Sequence, residues 1–217
     1  SPIGTGNDFL KNFGSDMEKF RDAENLWNGP QFPIDAIQVN DRIALTIACS
    51  GIDARVAKDV HKFSESPILD GKSSYIVSLA VNFLFKGIGT HWTVTLDGVS
   101  VEKDYAVVAV CNGRYYGGGF NPSLTARPDD GELDFFITRR VSLPVLAVLI
   151  GKYAKGRADE LSQYITHLKG TEIEIGFDED NVVNIDGEAL YAKRVRIRLV
   201  PSAANLIVPK GMKFFNA

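Results

Sequence analysis

Between Lys193 and Val200 the chain alternates strictly: Val195, Ile197 and Leu199 are apolar, while Arg194, Arg196 and Arg198 are charged. A period of two puts one set on a buried face and the other in solvent, which is the signature of a half-buried strand. The same alternation occurs in Glu172-Ile173-Glu174-Ile175. Asp186-Gly187 between these segments, Asn40-Asp41 between Ile34–Val39 and Arg42–Cys49, and Asp97-Gly98 between Thr93–Leu96 and Val99–Val101 are two-residue turn signals that fold such strands back antiparallel. Tyr105–Cys111 is a continuous apolar run suited to a central strand, and Leu133–Thr138 is strand-like. Apolar residues at helical spacing predict helices over Ile52–Phe63, Tyr75–Phe83 and Val141–Tyr153, the last with Pro144 in its first turn. The expected fold class is α+β: a mainly antiparallel β-sandwich with about three helices.

Before Ile34 the pattern differs. Asn7 or Asp8 can cap a short helix, and Met17, Phe20 and Trp27 recur at helix-like intervals until Gly29-Pro30 and Pro33 mark a linker. With 217 residues, 45% hydrophobic and 24% charged, the chain is globular rather than disordered or fibrous. A net charge of −3 argues against general nucleic-acid binding, so no nucleic-acid partner is expected. The apolar runs fall well short of the about 20 residues that cross a bilayer as a helix. Two distant cysteines, Cys49 and Cys111, and three histidines offer no zinc-site spacing, and both thiols are expected to be buried and reduced.

Five segments could carry chemistry. Gly4-Thr5-Gly6-Asn7-Asp8 places small residues, a hydroxyl and a carboxylate at a helix start, which suits phosphate and Mg²⁺, although such caps also begin ordinary helices. Asp186-Gly187-Glu188 sets two carboxylates at i and i+2 on a strand end, where one could accept a hydroxyl proton; it also reads as a plain hairpin turn. Asp129, Asp130, Glu132 and Asp134 crowd around Gly131 without EF-hand spacing, either as a hard-cation loop or as a solvated turn. Asn112-Gly113 through Gly119 is glycine-rich but is not a Walker loop. The arginine stripe at 194, 196 and 198, beside Lys193, reads as a solvated face or as a contact for anionic headgroups.

Four of these segments, without the arginine stripe, together with a fifth at Ala48–Ala54, resemble in their order the diacylglycerol kinase catalytic family, which includes bacterial lipid kinases and sphingosine kinases. Gly4 to Phe9 is similar to its Gly-Thr-x-Asn-Asp-Phe motif, and Ala48-Cys49-Ser50-Gly51-Ile52-Asp53-Ala54, followed by Val56, to its small-residue Gly-x-Asp-Ala segment. Asn112 to Gly119, Pro128 to Asp134 and Asp186 to Glu188 resemble three further blocks, so the likeness covers nearly the whole chain. It implies the NAD kinase/diacylglycerol kinase-like fold and ATP- and Mg²⁺-dependent transfer of the γ-phosphate to a lipid hydroxyl. On that reading Glu188 is the general base and Asp186 supports it or the metal. Gly4, Thr5, Gly6, Asn7 and Asp8 form the nucleotide-binding group, with Thr5 and Asn7 at the phosphates and Asp8 in the Mg²⁺ network. A structural Mg²⁺ maps onto Asp130 with the carbonyls of Arg127 and Glu132.

The family's Gly-Gly-Asp-Gly-Thr motif, which binds ATP, does not occur in these 217 residues. The resemblance therefore implies a C-terminal fragment. Residues 1–32 would be the remnant of a nucleotide-binding domain and a linker, 33–204 the sandwich domain, and 205–217 a tail returning to the missing domain. It further implies a cytoplasmic protein, peripheral to a membrane, whose partners are a lipid substrate and that missing domain. A surface with Trp27, Phe214 and Phe215 would favour association, including a homodimer. Two other readings remain open: a non-catalytic lipid-binding module, and a related kinase with a soluble acceptor, like NAD kinase.

Overall fold

The period-two segments fold as one bent antiparallel sheet. The computed structural model describes residues 7–51, 54, 90–117, 120–153 and 155–214. Its strands are β1 (Gln31–Val39), β2 (Arg42–Ala44), β3 (Ile47–Gly51), β4 (Thr90–Leu96), β5 (Val99–Cys111), β6 (Leu133–Arg139), β7 (Ile165–Gly170), β8 (Glu172–Ile185) and β9 (Glu188–Ile207). They lie in the order β2-β1-β9-β8-β3-β5-β6-β7. β4 occupies the same lane as β3, end to end with it, and pairs with both β5 and β8.

The alternation in β9 does what its period demands. Val195 and Ile197 are buried, while Arg194, Arg196 and Arg198 face outward. β5 keeps one face buried only because it bulges between Tyr105 and Val107 against β6. The extra residue switches parity, so Tyr105 faces the same interior as Val108 and Val110. That interior joins Ile37 and Val39 of β1 to Leu133 and Phe135 of β6, strands far apart in the sheet order, which shows how far the sheet curls over itself.

Helix α3 (Leu143–Tyr153) covers the opposite face of β3, β5 and β6. Its Leu146 and Leu149 pack with Ile47, Cys49, Cys111 and Phe136, so both thiols are buried here. The helices expected over Ile52–Phe63 and Tyr75–Phe83 lie outside the described residues.

At the N-terminal end come α1 (Asp8–Lys11), a 3₁₀ helix (Gly14–Arg21) and α2 (Ala23–Trp27), the last capped by Asp22, whose carboxylate accepts from Asn25 N at 3.1 Å. β1 starts three residues before Ile34, because Ile207, Leu206 and Asn205 supply partners for Gln31, Phe32 and Pro33. Pro33 is tolerated there because β2 pairs only with Ile37, Gln38 and Val39, leaving the proline without a second neighbour strand. β9 is likewise longer than its clean alternation and runs to Ile207. Beyond it Val208 and Met212 pack on Phe13 and Phe20 in a third apolar cluster.

Candidate active site

Asp186 and Gly187 make the two-residue turn between β8 and β9, both at positive φ (48° and 102°), the conformation for which Asp-Gly is suited. The Asp186 side chain folds under the neighbouring turn between β2 and β3. Its carboxylate accepts from Leu45 N (2.6 Å), Thr46 N (3.1 Å) and Ile47 N (2.8 Å). Burial under that turn pushes the Asp186 carboxyl above its ordinary range, and the three N–H donors pull it back. Asp186 is therefore an anchor: both oxygens are committed to backbone, and its part at the site is to hold two turns together.

Glu188, the first residue of β9, lies just beyond this anchored turn and is 84% exposed. Arg42 Nη1 lies 3.7 Å from its carboxylate. The two residues, with Ile43, Ile185 and Asp186, line an open depression of about 460 Å³. A carboxylate on a rigid turn, solvated and facing a cleft, can take a proton from a hydroxyl placed there.

The 45–46 turn is gripped from its other side by Asn112, at the end of β5. Asn112 N donates to the Thr46 carbonyl, and its Nδ2 donates to the carbonyls of Leu45 and Asp35, each at 2.9 Å. Gly113 follows because a Cβ there would sit 2.8 Å from Asn12 Nδ2. Asn12, almost fully buried, accepts from Arg114 N at 2.6 Å and donates to the Phe9 carbonyl. One chain of contacts thus runs from α1 through Asn12, the Asn112–Arg114 loop and the 45–47 turn to Asp186 and Glu188. Of the nucleotide-binding group, Asn7 adopts a left-handed conformation before α1 and Asp8 pairs with Lys11 at 2.6 Å. Gly4, Thr5 and Gly6 lie outside the described residues, as do Gly118 and Gly119.

The acidic loop sits apart, against the C-terminal tail. Arg127 makes a two-bond pair with Asp129, donates to the Phe214 carbonyl at 3.1 Å, and stacks over the Phe214 ring. Asp130 accepts from Glu132 N, and Lys169 Nζ stands 3.6 Å from Asp130 and 3.0 Å from Glu132. Burial pushes the Asp130 carboxyl up. Among the described residues no three His, Cys, Asp or Glu side chains converge to hold a metal. The Mg²⁺ ligand set implied by the resemblance is a different one, the single carboxylate of Asp130 with the carbonyls of Arg127 and Glu132, and Lys169 is the cation paired with that carboxylate here.

Asp35 was not legible as functional in the sequence. Buried in β1, its carboxylate accepts from Gly131 N and Ser202 N, joining the acidic loop to β9. Asn12 was equally silent. For Asp35 the available signal was a lone polar residue in the apolar run Ile34-Asp35-Ala36-Ile37, whereas Asn12, between Lys11 and Phe13, carried no such signal. The arginine stripe is paired across the strands: Arg196 with Glu172 at 2.8 Å, Arg194 with Glu174 at 3.4 Å, and Arg198 hydrogen-bonded to Gln38. It is a solvated, charge-compensated face.

A bent antiparallel sandwich with an Asp-Gly-Glu turn and an Asn-Gly loop defines a lipid-kinase-like C-terminal domain. Residues 46–208 match the family model of the YegS C-terminal NAD kinase beta sandwich-like domain, and the chain belongs to that family. A protein of Staphylococcus aureus (strain Newman) named "Putative lipid kinase" is 28% identical over 206 residues, covering 95% of this chain and 67% of that protein. The crystal structure of a "putative diacylglycerol kinase" from Bacillus anthracis superposes with a TM-score of 0.71 at 25% identity, over 95% of this chain and 67% of that one. A second B. anthracis structure, titled a diacylglycerol kinase, shares the fold at a TM-score of 0.64 and 20% identity, covering 96% of this chain and 65% of its own. The chain thus spans about two thirds of the length of these relatives.

Proposed function

We propose that this domain supplies the acceptor side of an ATP- and Mg²⁺-dependent lipid kinase. The observation that carries the reading is the presentation of Glu188 in an open depression by a turn that Asp186 clamps to the 45–47 backbone. Glu188 accepts the proton of a lipid hydroxyl as the hydroxyl oxygen bonds to the γ-phosphorus and the bridging P–O bond to ADP breaks. Asp186 holds the turn, and Asn112 fixes the same backbone from the β5 side. Asp8 and Asn7 face the nucleotide, with Asp8 the carboxylate offered to Mg²⁺. Bound Mg²⁺ supplies neutralising charge for the triphosphate. The rest of the nucleotide site belongs to an ATP-binding domain outside these 217 residues.

No helix among the described residues is long and apolar enough to cross a membrane. A peripheral, cytoplasmic-face encounter with the lipid is the mode we propose.

The test is phosphate transfer from γ-labelled ATP to a panel of hydroxyl-bearing lipids in mixed micelles, in the protein carrying both domains. Glu188→Gln is expected to lower turnover by about 10²-fold or more with an unchanged thermal midpoint. Full activity in that variant would remove Glu188 from the proton-accepting role.

A further inference from the structure

Arg42 is the only cation among the described residues lining the depression that holds Glu188. Among the described residues its guanidinium makes no side-chain hydrogen bond, and at 3.7 Å its pair with Glu188 is the longest arginine–carboxylate pair there. Such a length is an ion pair without a hydrogen bond. Arg127, Arg157 and Arg196, by contrast, each spend two N–H groups on one carboxylate. The Arg42 backbone is fixed, because it opens β2 directly after the Asn40-Asp41 turn and pairs with Val39. The residue therefore combines an anchored main chain with an uncommitted planar fork of donors, half-exposed beside the candidate base.

The other carboxylate of the depression, Asp186, cannot claim those donors, because its oxygens are engaged by the 45–47 backbone. The fork suits two oxygens of one tetrahedral anion, which a guanidinium binds through paired N–H···O bonds. Ile43, which lines the same depression, is 56% exposed and gives apolar surface beside a cation. Cation and apolar surface together match an amphiphile with a phosphate head.

We infer that Arg42 is the phosphate-recognising residue of this site, binding the phosphate monoester of an amphiphilic product through its guanidinium while Ile43 meets the adjoining chain. The inference rests on the lipid-kinase reading, but it concerns binding and needs neither ATP nor turnover for its test.

The experiment measures binding of the protein carrying both domains, without nucleotide, to phosphatidylcholine vesicles that carry a minor fraction of phosphatidate. Matched vesicles carry phosphatidylserine at the same surface charge, and inorganic phosphate serves as competitor. Wild type is expected to prefer phosphatidate. Arg42→Gln should lose about tenfold or more of that affinity, and Arg42→Lys should retain part of it. Glu188→Gln should bind more tightly, because it removes the anion that competes for the guanidinium. Thermal melts report whether each variant is folded, as expected for an exposed position. Equal affinity of wild type and Arg42→Gln overturns the assignment. So does equal binding to the two anionic vesicles. Competition by inorganic phosphate as strong as by soluble short-chain phosphatidate overturns the amphiphile part. Failure of the kinase reading shows separately, as absence of phosphate transfer by the wild-type two-domain protein.

Discussion

Two residues act through backbone rather than chemistry, Asp186 at the site and Gly51 at the far end of β3. Asp186 replaces ladder partners for three N–H groups, so Asp186→Ala is expected to cost about 1–3 kcal/mol of unfolding free energy, with Asp186→Asn keeping part of it. Chemical denaturation measures this directly, and a loss of kinase activity that tracks the lost stability would identify a positioning role. Gly51, at the end of β3, sits at φ +101°, and a Cβ there would lie 2.1 Å from the Ala106 carbonyl oxygen. Gly51→Ala is expected to destabilise by more than about 2 kcal/mol, because strain and backbone overlap act together. The Gly51 requirement was foreshadowed by its place in the Gly-x-Asp-Ala segment. The Asp186 role was not, since sequence shows that a turn is present but not which neighbouring turn lacks hydrogen-bond partners.

Between elements, a histidine and the tail do the joining. His167 of β7 meets Asp134 of β6 through Nε2 at 2.5 Å and Asp159 of the 3₁₀ helix Ala158–Leu161 through Nδ1 at 3.2 Å, and it stacks on Phe136. Ser123 also donates to Asp134. Both ring nitrogens face carboxylates, so the doubly protonated ring satisfies both. The hydrogen bond to Asp134 chiefly raises its pKa above the ordinary value, against burial. A raised folded pKa stabilises most below the unfolded value of about 6.5, and that contribution is lost as pH rises through the folded value. The thermal midpoint should therefore fall over that window in wild type, and the slope should flatten in His167→Gln. On the tail, Val208 is fully buried and its N–H donates to the Pro30 carbonyl. Val208→Asp should cost about 3 kcal/mol or more by burying a carboxylate among Phe13, Phe20 and Met212. A smaller loss in a urea melt would mean that the tail can leave this cluster cheaply.

For the whole molecule, the two tryptophans report opposite environments. Trp27 is 86% exposed, whereas Trp92 is 2% exposed in the sandwich interior. Trp27→Phe should leave blue-shifted emission that resists acrylamide quenching, and Trp92→Phe should leave red-shifted, readily quenched emission. A blue shift of the Trp27 signal with rising protein concentration would locate self-association on that surface. Phe214, grouped with Trp27 and Phe215 as a surface expected to favour association, is half-buried and packs edge-on against Phe13 at 5.0 Å and under Arg127.

Local order in the residues determined most of the strands, their inward and outward faces, the Asp-Gly and Asn-Asp turns, and α3, because periodicity and turn chemistry act over a few residues; Arg42–Cys49, which reads as one strand, is instead broken at 45–46 into β2 and β3, where the Asp186 carboxylate takes the backbone N–H groups. The order of the motif blocks determined the family. Only the tertiary structure decided that β9 extends to Ile207, that β5 must bulge to keep Tyr105 inside, and that Asn12, Asp35 and Asn112 splice the site elements together. It also decided that Asp186 is an anchor while Glu188 is exposed beside an uncommitted Arg42. These outcomes depend on which backbone groups and charges distant segments bring within hydrogen-bond reach, and a linear pattern does not contain those distances.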